Sequence, residues 1–141
     1  MKKILIVNSY YYKDISNNLV FSAKKRLLEV KFNLSIVNIP GAFEIPITIR
    51  KNINKFDGFI ALGCVIKGQT PHFDLLCSSL FNSILSLSIK YNKPIGNGVI
   101  TALNLNQAKQ RSKKTKSNKP NKGSEAANAV ISILKNGPKK I

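Results

Sequence analysis

The sequence predicts an α/β protein: a three-layer α/β/α sandwich with a four-stranded parallel, flavodoxin-like sheet. Two observations predict this class. Four short apolar runs are rich in β-branched residues, and the segments between them repeat apolar residues every three or four positions. Strands that alternate with helices in this way form parallel sheets through right-handed crossovers. The length of 141 residues suits one domain, and we expect a single domain over residues 1–141.

The predicted elements follow in order along the chain. A continuous apolar run is typical of a strand that helices cover on both faces, so we expect all four strands to be buried. The strands are predicted at Ile4–Val7, Leu34–Ile39, Gly58–Ile66 and Ile95–Thr101. Helices with one apolar face are predicted around Leu19–Leu28, Ile45–Ile53, Leu76–Leu87 and Ser124–Lys135.

The charge balance of the chain is unusual. There are 23 lysines and arginines against six acidic residues, which gives a formal net charge of +17. Such an excess makes nucleic acid, an anionic membrane or a phosphorylated substrate a candidate partner. Most of the excess is lysine spread along the chain, as expected of permissive surface positions. One concentration stands out, because residues 111–123 contain no apolar residue and predict a basic loop before the C-terminal helix.

The cysteines and the apolar runs argue against several other classes of protein. Cys64 and Cys77 have neither the spacing of a zinc motif nor the number that a disulfide framework needs. We therefore expect reduced thiols, no metal site and a cytoplasmic location. No apolar run approaches the roughly 20 residues that a membrane span requires, so no membrane partner is expected.

Residues capable of chemistry follow each predicted strand. The segments are 8–12, 40–44, 67–74 and 103–104, and they contain three tyrosines, two acids, the only histidine and two glycines. In parallel sheets, ligands bind beyond the carboxyl ends of the strands. We therefore expect aromatic, carboxylate and imidazole groups to share one edge of the sheet.

His72 is the strongest single candidate for proton transfer. Histidine gains and loses a proton near neutral pH. Thr70 as N-cap and Pro71 at the first helical position predict a helix start that places His72 in the first turn. There the helix dipole favours a neutral ring that can accept a proton. A lone histidine is, however, more often structural or merely exposed than catalytic.

Four further features each allow a functional and a structural interpretation. Backbone N–H groups at Gly68–Thr70 could bind phosphate at a helix start, or could simply turn the chain. Glu44 could bind a polyol or an amine, or could interact with a helix dipole. Tyr10–Tyr12 could stack on a planar heterocycle or cover the core. Arg111 could hold a phosphate with its planar guanidinium, or could be a solvated cation at a helix end.

Three motifs at these strand ends resemble the lumazine synthase family. They are residues 40–46 (PGAFEIP), 61–74 (ALGCVIKGQTPHFD) and 121–123 (NKG), and the likeness runs in order over nearly the whole chain. The resemblance implies a step of riboflavin biosynthesis. In it, 5-amino-6-(D-ribitylamino)uracil condenses with 3,4-dihydroxy-2-butanone 4-phosphate to 6,7-dimethyl-8-ribityllumazine, releasing phosphate and water. It also implies two small-molecule substrates, one of them phosphorylated, and no cofactor or metal.

The resemblance assigns a role to each matching residue. His72 would shuttle protons, and Arg111 would neutralise the phosphate, with Lys122 as a second cation. The backbone N–H groups of Gln69 and Thr70 would bind that phosphate. The pyrimidine ring and its ribityl chain would contact Tyr11, Ala42, Phe43, Glu44 and the backbone of Cys64, Val65 and Ile66.

The sequence also departs from the family in three ways. Family sites lie between neighbouring subunits, and Asn97, at the end of the fourth strand, would reach into the next subunit's site where many members have phenylalanine. The basic loop is longer than the family's short turn, which shapes contacts between pentamers. The sequence begins directly at its first strand, where many members have an extra strand. We therefore expect a pentamer or decamer rather than a shell of sixty subunits.

Two other functions stay open from the sequence. A relative that binds riboflavin or lumazines without catalysis would keep the same fold, although His72, Glu44 and Arg111 together favour chemistry. A nucleic-acid-binding domain would account for the charge. The sequence lacks the aromatic residues interleaved with arginine, the helix-turn-helix pattern and the zinc knuckle of such domains, so nucleic acid is not an expected partner.

Overall fold

The structure, a computed structural model, describes residues 1–113 and 121–141. Within these residues, four strands form one parallel sheet in the order β2-β1-β3-β4. The strands are β1 (Lys3–Ser9), β2 (Asn33–Ile39), β3 (Gly58–Ile66) and β4 (Ile95–Ala102). The helices are α1 (Lys13–Glu29), α2 (Ile45–Lys51), α3 (Phe73–Tyr91), α4 (Leu105–Ser112) and α5 (Lys122–Lys135).

The sheet separates two hydrophobic cores. Because side chains alternate along a strand, Ile4 and Ile6 of β1 pack toward α1 and α5, whereas Leu5 and Val7 pack toward α2 and α3. β3 is buried along its whole length, since it lies inside the sheet with helices on both faces. The predicted α/β/α sandwich with a four-stranded parallel sheet is therefore confirmed.

The expectation that all four strands are buried is wrong for β2. Within the described residues β2 pairs with β1 alone and forms an edge of the sheet, and Ile36 in its middle is 48% exposed. An edge strand keeps one row of backbone groups without a partner, and helices cover it less completely. An apolar run does not distinguish a central strand from an edge strand.

Two predicted boundaries move. β1 continues through Asn8 and Ser9, which are buried, so the loop after it begins at Tyr10. The two ends of the predicted basic loop over residues 111–123 are helical, because Arg111 lies in the last turn of α4 and Lys122 is the first residue of α5. The basic residues of segment 114–120 lie outside the described residues.

Glycines allow α5 to approach the rest of the fold closely. A Cβ atom at Gly96 of β4 would lie 2.2 Å from the carbonyl oxygen of Ala126, and one at Gly123 would lie 2.3 Å from that of Leu19. No side chain fits at either position. The close packing fixes α5 against β4, with the backbone of Lys122 beside Gly98 in the middle of that strand.

Candidate active site

The segments that follow the four strands lie side by side at the carboxyl edge of the sheet. The N–H of Tyr10 donates to the carbonyl oxygen of Ile39 over 3.1 Å, which ties the end of β1 to the end of β2. The N–H of Lys67 donates to the carbonyl oxygen of Ala102 over 2.9 Å, which ties β3 to β4. We call this edge the rim and define it as residues 10–12, 40–44, 63–72 and 101–111.

Two tyrosines of the rim have different roles. The ring of Tyr11 is 72% exposed and lies edge-on to that of Tyr12, with ring centroids 4.9 Å apart. The hydroxyl of Tyr12 donates to Oε1 of Gln69 over 2.6 Å and so joins the loops after β1 and β3. Partial burial, with Cys64 and Tyr11 nearby, raises the pKa of Tyr12. The Tyr12 phenol therefore keeps its proton at neutral pH and can hold Gln69 in place.

The loop after β2 presents a carboxylate and an aromatic ring. Ala42–Glu44 form a short 3-10 turn that leads into α2, with Ala42 buried and Phe43 73% exposed. The carboxylate of Glu44 folds back over Gly41, where an added Cβ atom would lie 3.0 Å from Oε2. Gly41 thus makes room for an exposed carboxylate that can accept hydrogen bonds from hydroxyl groups.

The carboxyl end of β3 extends beyond its pairing with β1. The β1–β3 pairing ends at Asn8 and Leu62, whereas the β3–β4 pairing continues to Ile66 and Ala102. Backbone groups of residues 63–66 on the side facing β1 therefore have no strand partner within the described residues, although the carbonyl of Ile66 accepts from the N–H of Gln69. Cys64, Val65 and Ile66 lie in this stretch. Such an open strand edge can hydrogen-bond the edge of a planar amide or pyrimidine.

The turn after β3 is tight and partly self-bonded. Gly68 has φ 86°, a left-handed conformation that glycine adopts readily. The N–H of Gln69 donates to the carbonyl oxygen of Ile66 over 3.3 Å. In this conformation the Gln69 N–H already has a backbone partner, so a phosphate bound to it would have to replace that bond.

The sequence predicted His72 in the first turn of a helix, and this prediction is wrong. The helix α3 begins at Phe73, and His72 is its N-cap in a left-handed conformation with φ 58° and ψ 41°. Thr70 precedes Pro71, and a residue before proline disfavours the helical conformation. The helix therefore begins after Thr70 and not next to it. The side chain of His72 is exposed. Its left-handed backbone conformation costs about 1–2 kcal/mol for a residue other than glycine. Strain of this kind is concentrated at functional sites.

Arg111 is anchored to the end of β4. Its Nη1 donates to the carbonyl oxygen of Thr101 over 2.6 Å, and the other N–H groups of the guanidinium can still bind an anion. Nearby, Asn121 joins the end of α4 to the start of α5. Its Nδ2 donates to the carbonyl oxygen of Ser112 over 3.2 Å, and its Oδ1 accepts from the N–H of Ser124.

Lys122 follows Asn121 and is only half exposed. Its Nζ lies 3.6 Å from Oε2 of Glu125, an ion pair on the protein surface. A pair of this kind contributes at most about 1 kcal/mol, so a phosphate can compete with Glu125 for the lysine.

Asn97 lies away from the rim of its own chain. It is the third residue of β4 and pairs with Ala61, five positions before the end of β3. The prediction that it stands at the carboxyl end of the strand is therefore wrong, because the strand runs on to Ala102. The side chain is exposed, and its Oδ1 accepts from the N–H of Val99 over 3.1 Å.

Both cysteines are free thiols, and they differ in burial. Burial raises the pKa of Cys64 to about 12, so this thiol is protonated and unreactive at neutral pH. Across residues 1–113 and 121–141, no three His, Cys, Asp or Glu side chains are grouped so that they could hold a metal ion. None of the helices described there combines the length and apolar character of a membrane span.

Two positioning residues escape the sequence prediction. Asn121 could have been found, since asparagine before an apolar helix is a common N-cap. The pairing of Tyr12 with Gln69 joins residues 57 positions apart and leaves no signal in a single sequence.

Comparison with known proteins identifies the family. The chain matches the family described as 6,7-dimethyl-8-ribityllumazine synthase over residues 1–136. It is 35% identical to the 6,7-dimethyl-8-ribityllumazine synthase of Bartonella tribocorum, over 94% of this chain and 89% of the relative. It is 38% identical to that of Campylobacter curvus, over 79% of this chain and 74% of the relative. The chain therefore belongs to the 6,7-dimethyl-8-ribityllumazine synthase family.

Proposed function

We propose that the rim is one side of an active site that makes 6,7-dimethyl-8-ribityllumazine in riboflavin biosynthesis. The substrates are 5-amino-6-(D-ribitylamino)uracil and 3,4-dihydroxy-2-butanone 4-phosphate, and phosphate and water are released. One observation carries the proposal: at a single edge of the sheet, a member of this family presents an exposed aromatic ring, a carboxylate, an imidazole and a guanidinium. These groups belong to Tyr11, Glu44, His72 and Arg111.

The pyrimidine substrate fits the β1–β3 side of the rim. The exposed ring of Tyr11 stacks on the pyrimidine, and the open backbone edge of residues 63–66 hydrogen-bonds its amide groups. The ribityl chain lies along Ala42 and Phe43, where the carboxylate of Glu44 accepts hydrogen bonds from its hydroxyls. The carboxylate of Glu44 matches the hydroxyls of the ribityl chain, and the ring of Tyr11 matches the flat pyrimidine.

The phosphorylated ketone fits the β3–β4 side. Arg111 binds the phosphate through the guanidinium N–H groups that Thr101 leaves available, and Lys122 adds a second positive charge. Thr70 offers its backbone N–H. Gln69 contributes its own N–H by giving up its 3.3 Å bond to Ile66, which is long and therefore weak.

Proton transfer is assigned to His72. The 5-amino group of the uracil attacks the ketone carbon, and loss of water gives an imine. A proton then leaves the neighbouring carbon as phosphate departs, and the enol that forms becomes a ketone by taking up a proton on its terminal carbon. The ribitylamino nitrogen attacks this ketone, and loss of a second water closes the second ring. His72 accepts and returns these protons, and we expect its loss to lower the rate by up to about 10²-fold, at the lower end of what proton transfer contributes.

The site is completed by a second copy of the chain, in a cyclic pentamer or a decamer. Tyr11 and Phe43 are each almost three-quarters exposed in one chain, although both would enclose substrate. The outer surface of α2 and α3 is also apolar, and the exposed large residues there are Ile47, Leu75, Leu85 and Ile89. Burying such a surface drives association. Asn97 of one chain then borders the site of the next, and the two free thiols favour a cytoplasmic location.

The activity is tested by mixing the purified protein with the two substrates and following the absorbance and green fluorescence of the lumazine. We expect turnover without added metal or cofactor. Binding of the lumazine without turnover would refute catalysis and support a non-catalytic relative.

The assembly is tested by light scattering. We expect a mass five or ten times the 15.6 kDa of one chain. A mass near that of sixty copies, or of a single copy, would contradict the proposed ring.

A further inference from the structure

We propose that the end of the sheet opposite the rim binds an acidic polypeptide segment that also carries apolar side chains. This surface lies where the parallel strands begin, and it is separate from the proposed active site. Two neighbouring clefts form it. The larger has a volume of about 530 Å³ and the smaller about 250 Å³, and Met1 and Asp57 line both.

Lysines line both clefts. The larger contains Lys2, Lys31 and Lys135, and the smaller contains Lys3, Lys55 and Lys93. Among the described residues, Asp57 is the single acid in either lining, and its Oδ2 already accepts from the backbone N–H of Lys3 over 2.7 Å. The positive potential of the two clefts therefore has little local compensation.

Helix dipoles account for only part of this cluster, although α1, α2, α3 and α5 all end on this side of the sheet. Lys135 lies in the last turn of α5, where a cation stabilises the helix end. Lys2, Lys31 and Lys55 lie outside the helices, and they make no ion pair with the described residues. No ion pair within the described part of the chain therefore explains why these three lysines lie at the two adjoining clefts.

The clefts also have apolar walls. Val30, Phe32 and Leu134 line the larger cleft, and Phe56 lines the smaller one. A partner that matches both features needs carboxylates for the lysines and apolar side chains for the clefts between them. An acidic polypeptide with interspersed leucine or phenylalanine has both.

A nucleic acid matches the clefts less well. Every cation that lines them is a lysine, and arginine, which binds phosphate and bases through its planar fork, is not among the lining residues. The ring of Phe32 is buried beneath the Nζ of Lys135, 6.0 Å from its centroid, so it offers no face for base stacking.

The test is binding of fluorescein-labelled probes, measured by anisotropy with the full chain at physiological salt. The first probe is a short peptide in which glutamate alternates with leucine. The second replaces leucine by serine, and the third is a single-stranded oligonucleotide. We expect the leucine peptide to bind at least about tenfold more tightly than either of the others.

Charge-reversal variants locate the site. Lys31→Glu combined with Lys135→Glu should weaken the leucine peptide by about tenfold or more. Lys13→Glu combined with Lys109→Glu makes the same change in net charge at the other end of the sheet, and should weaken it by less than about threefold. If the first pair unfolds the protein, Lys2→Glu with Lys55→Glu serves instead, since both residues lie outside helices and strands.

Several results would overturn the proposal. Equal losses in the two charge-reversed pairs would mean non-specific attraction to a basic protein. Equal binding of the serine peptide would remove the role of the apolar walls, and tighter binding of the oligonucleotide would assign the surface to nucleic acid. None of these outcomes bears on lumazine synthesis at the rim, which is measured separately.

Discussion

Replacing His72 separates the chemistry of its side chain from the strain of its backbone. His72→Ala and His72→Gly both remove the imidazole. They differ in that alanine keeps the cost of the left-handed conformation at φ 58° and ψ 41°, whereas glycine does not. The side chain is exposed and makes no capping hydrogen bond, so neither variant leaves a cavity or an unpaired group.

The stability difference between the two variants follows from two opposing terms. Relief of the left-handed strain favours glycine by about 1–2 kcal/mol. The greater freedom of glycine in the unfolded chain opposes this by about 0.4–1 kcal/mol. We therefore expect His72→Gly to be more stable than His72→Ala by about 0.5–1 kcal/mol, a rise in Tm of about 1–4 °C for a chain of this size.

Turnover and thermal unfolding are measured together at one protein concentration. Both variants should lose kcat by the same factor, up to about 10², because both lack the proton-transferring ring. Asn92→Gly is the matched control. It has φ 55° at the opposite end of α3, asparagine tolerates that conformation, and turnover should stay unchanged. Wild-type turnover in either His72 variant would refute the proton shuttle, and equal stability of the two would refute the strain.

Three further outcomes are expected. Arg111→Ala should raise KM for the phosphorylated ketone about 10- to 100-fold through loss of a charge-assisted bond, and an unchanged KM would contradict the phosphate assignment. Gly96→Ala should lower the free energy of unfolding, measured in urea, by more than about 2 kcal/mol, because the new Cβ would lie 2.2 Å from a backbone oxygen. Gly137→Ala is the control and should leave that free energy unchanged, because the space around Gly137 is open. The free energy of unfolding should fall as the pH rises from about 8.5, where the thiol ionises in the unfolded chain, to about 12, because folding keeps Cys64 protonated. Urea unfolding measured at increasing pH should show a smaller decrease for Cys64→Ala.

The strands and the large helices could be predicted because burial leaves a pattern in the sequence. β3 begins at Gly58 and ends at Ile66 as predicted. The strand has a charged residue on each side, Asp57 and Lys67, and every residue between them is apolar or small. α4 leaves no such pattern. Only Ala108 and Ser112 of its eight residues are buried, so there is no apolar face to recognise.

The candidate site could be predicted in its location but not in its local geometry. The strand-end rule brings residues from four distant segments to one edge whatever their side chains are. The conformation of His72 and the bond from Gln69 to Ile66 depend on how a short turn closes between a fixed strand and a fixed helix. Backbone strain of this kind is decided by the elements on either side, so the turn residues alone do not reveal it.

The loop from β3 to α3 is constrained at three of its residues. Left-handed residues stand near both ends of it, Gly68 and His72, and the Tyr12 hydroxyl holds Gln69 between them over 2.6 Å. A loop fixed at three points loses little conformational entropy when a ligand binds. The 3.3 Å bond from Gln69 to Ile66 is long and weak, and in the proposed site the phosphate held by Arg111 replaces it. A loop that is constrained at these residues but has one weak hydrogen bond suits a site in which phosphate must both bind and leave.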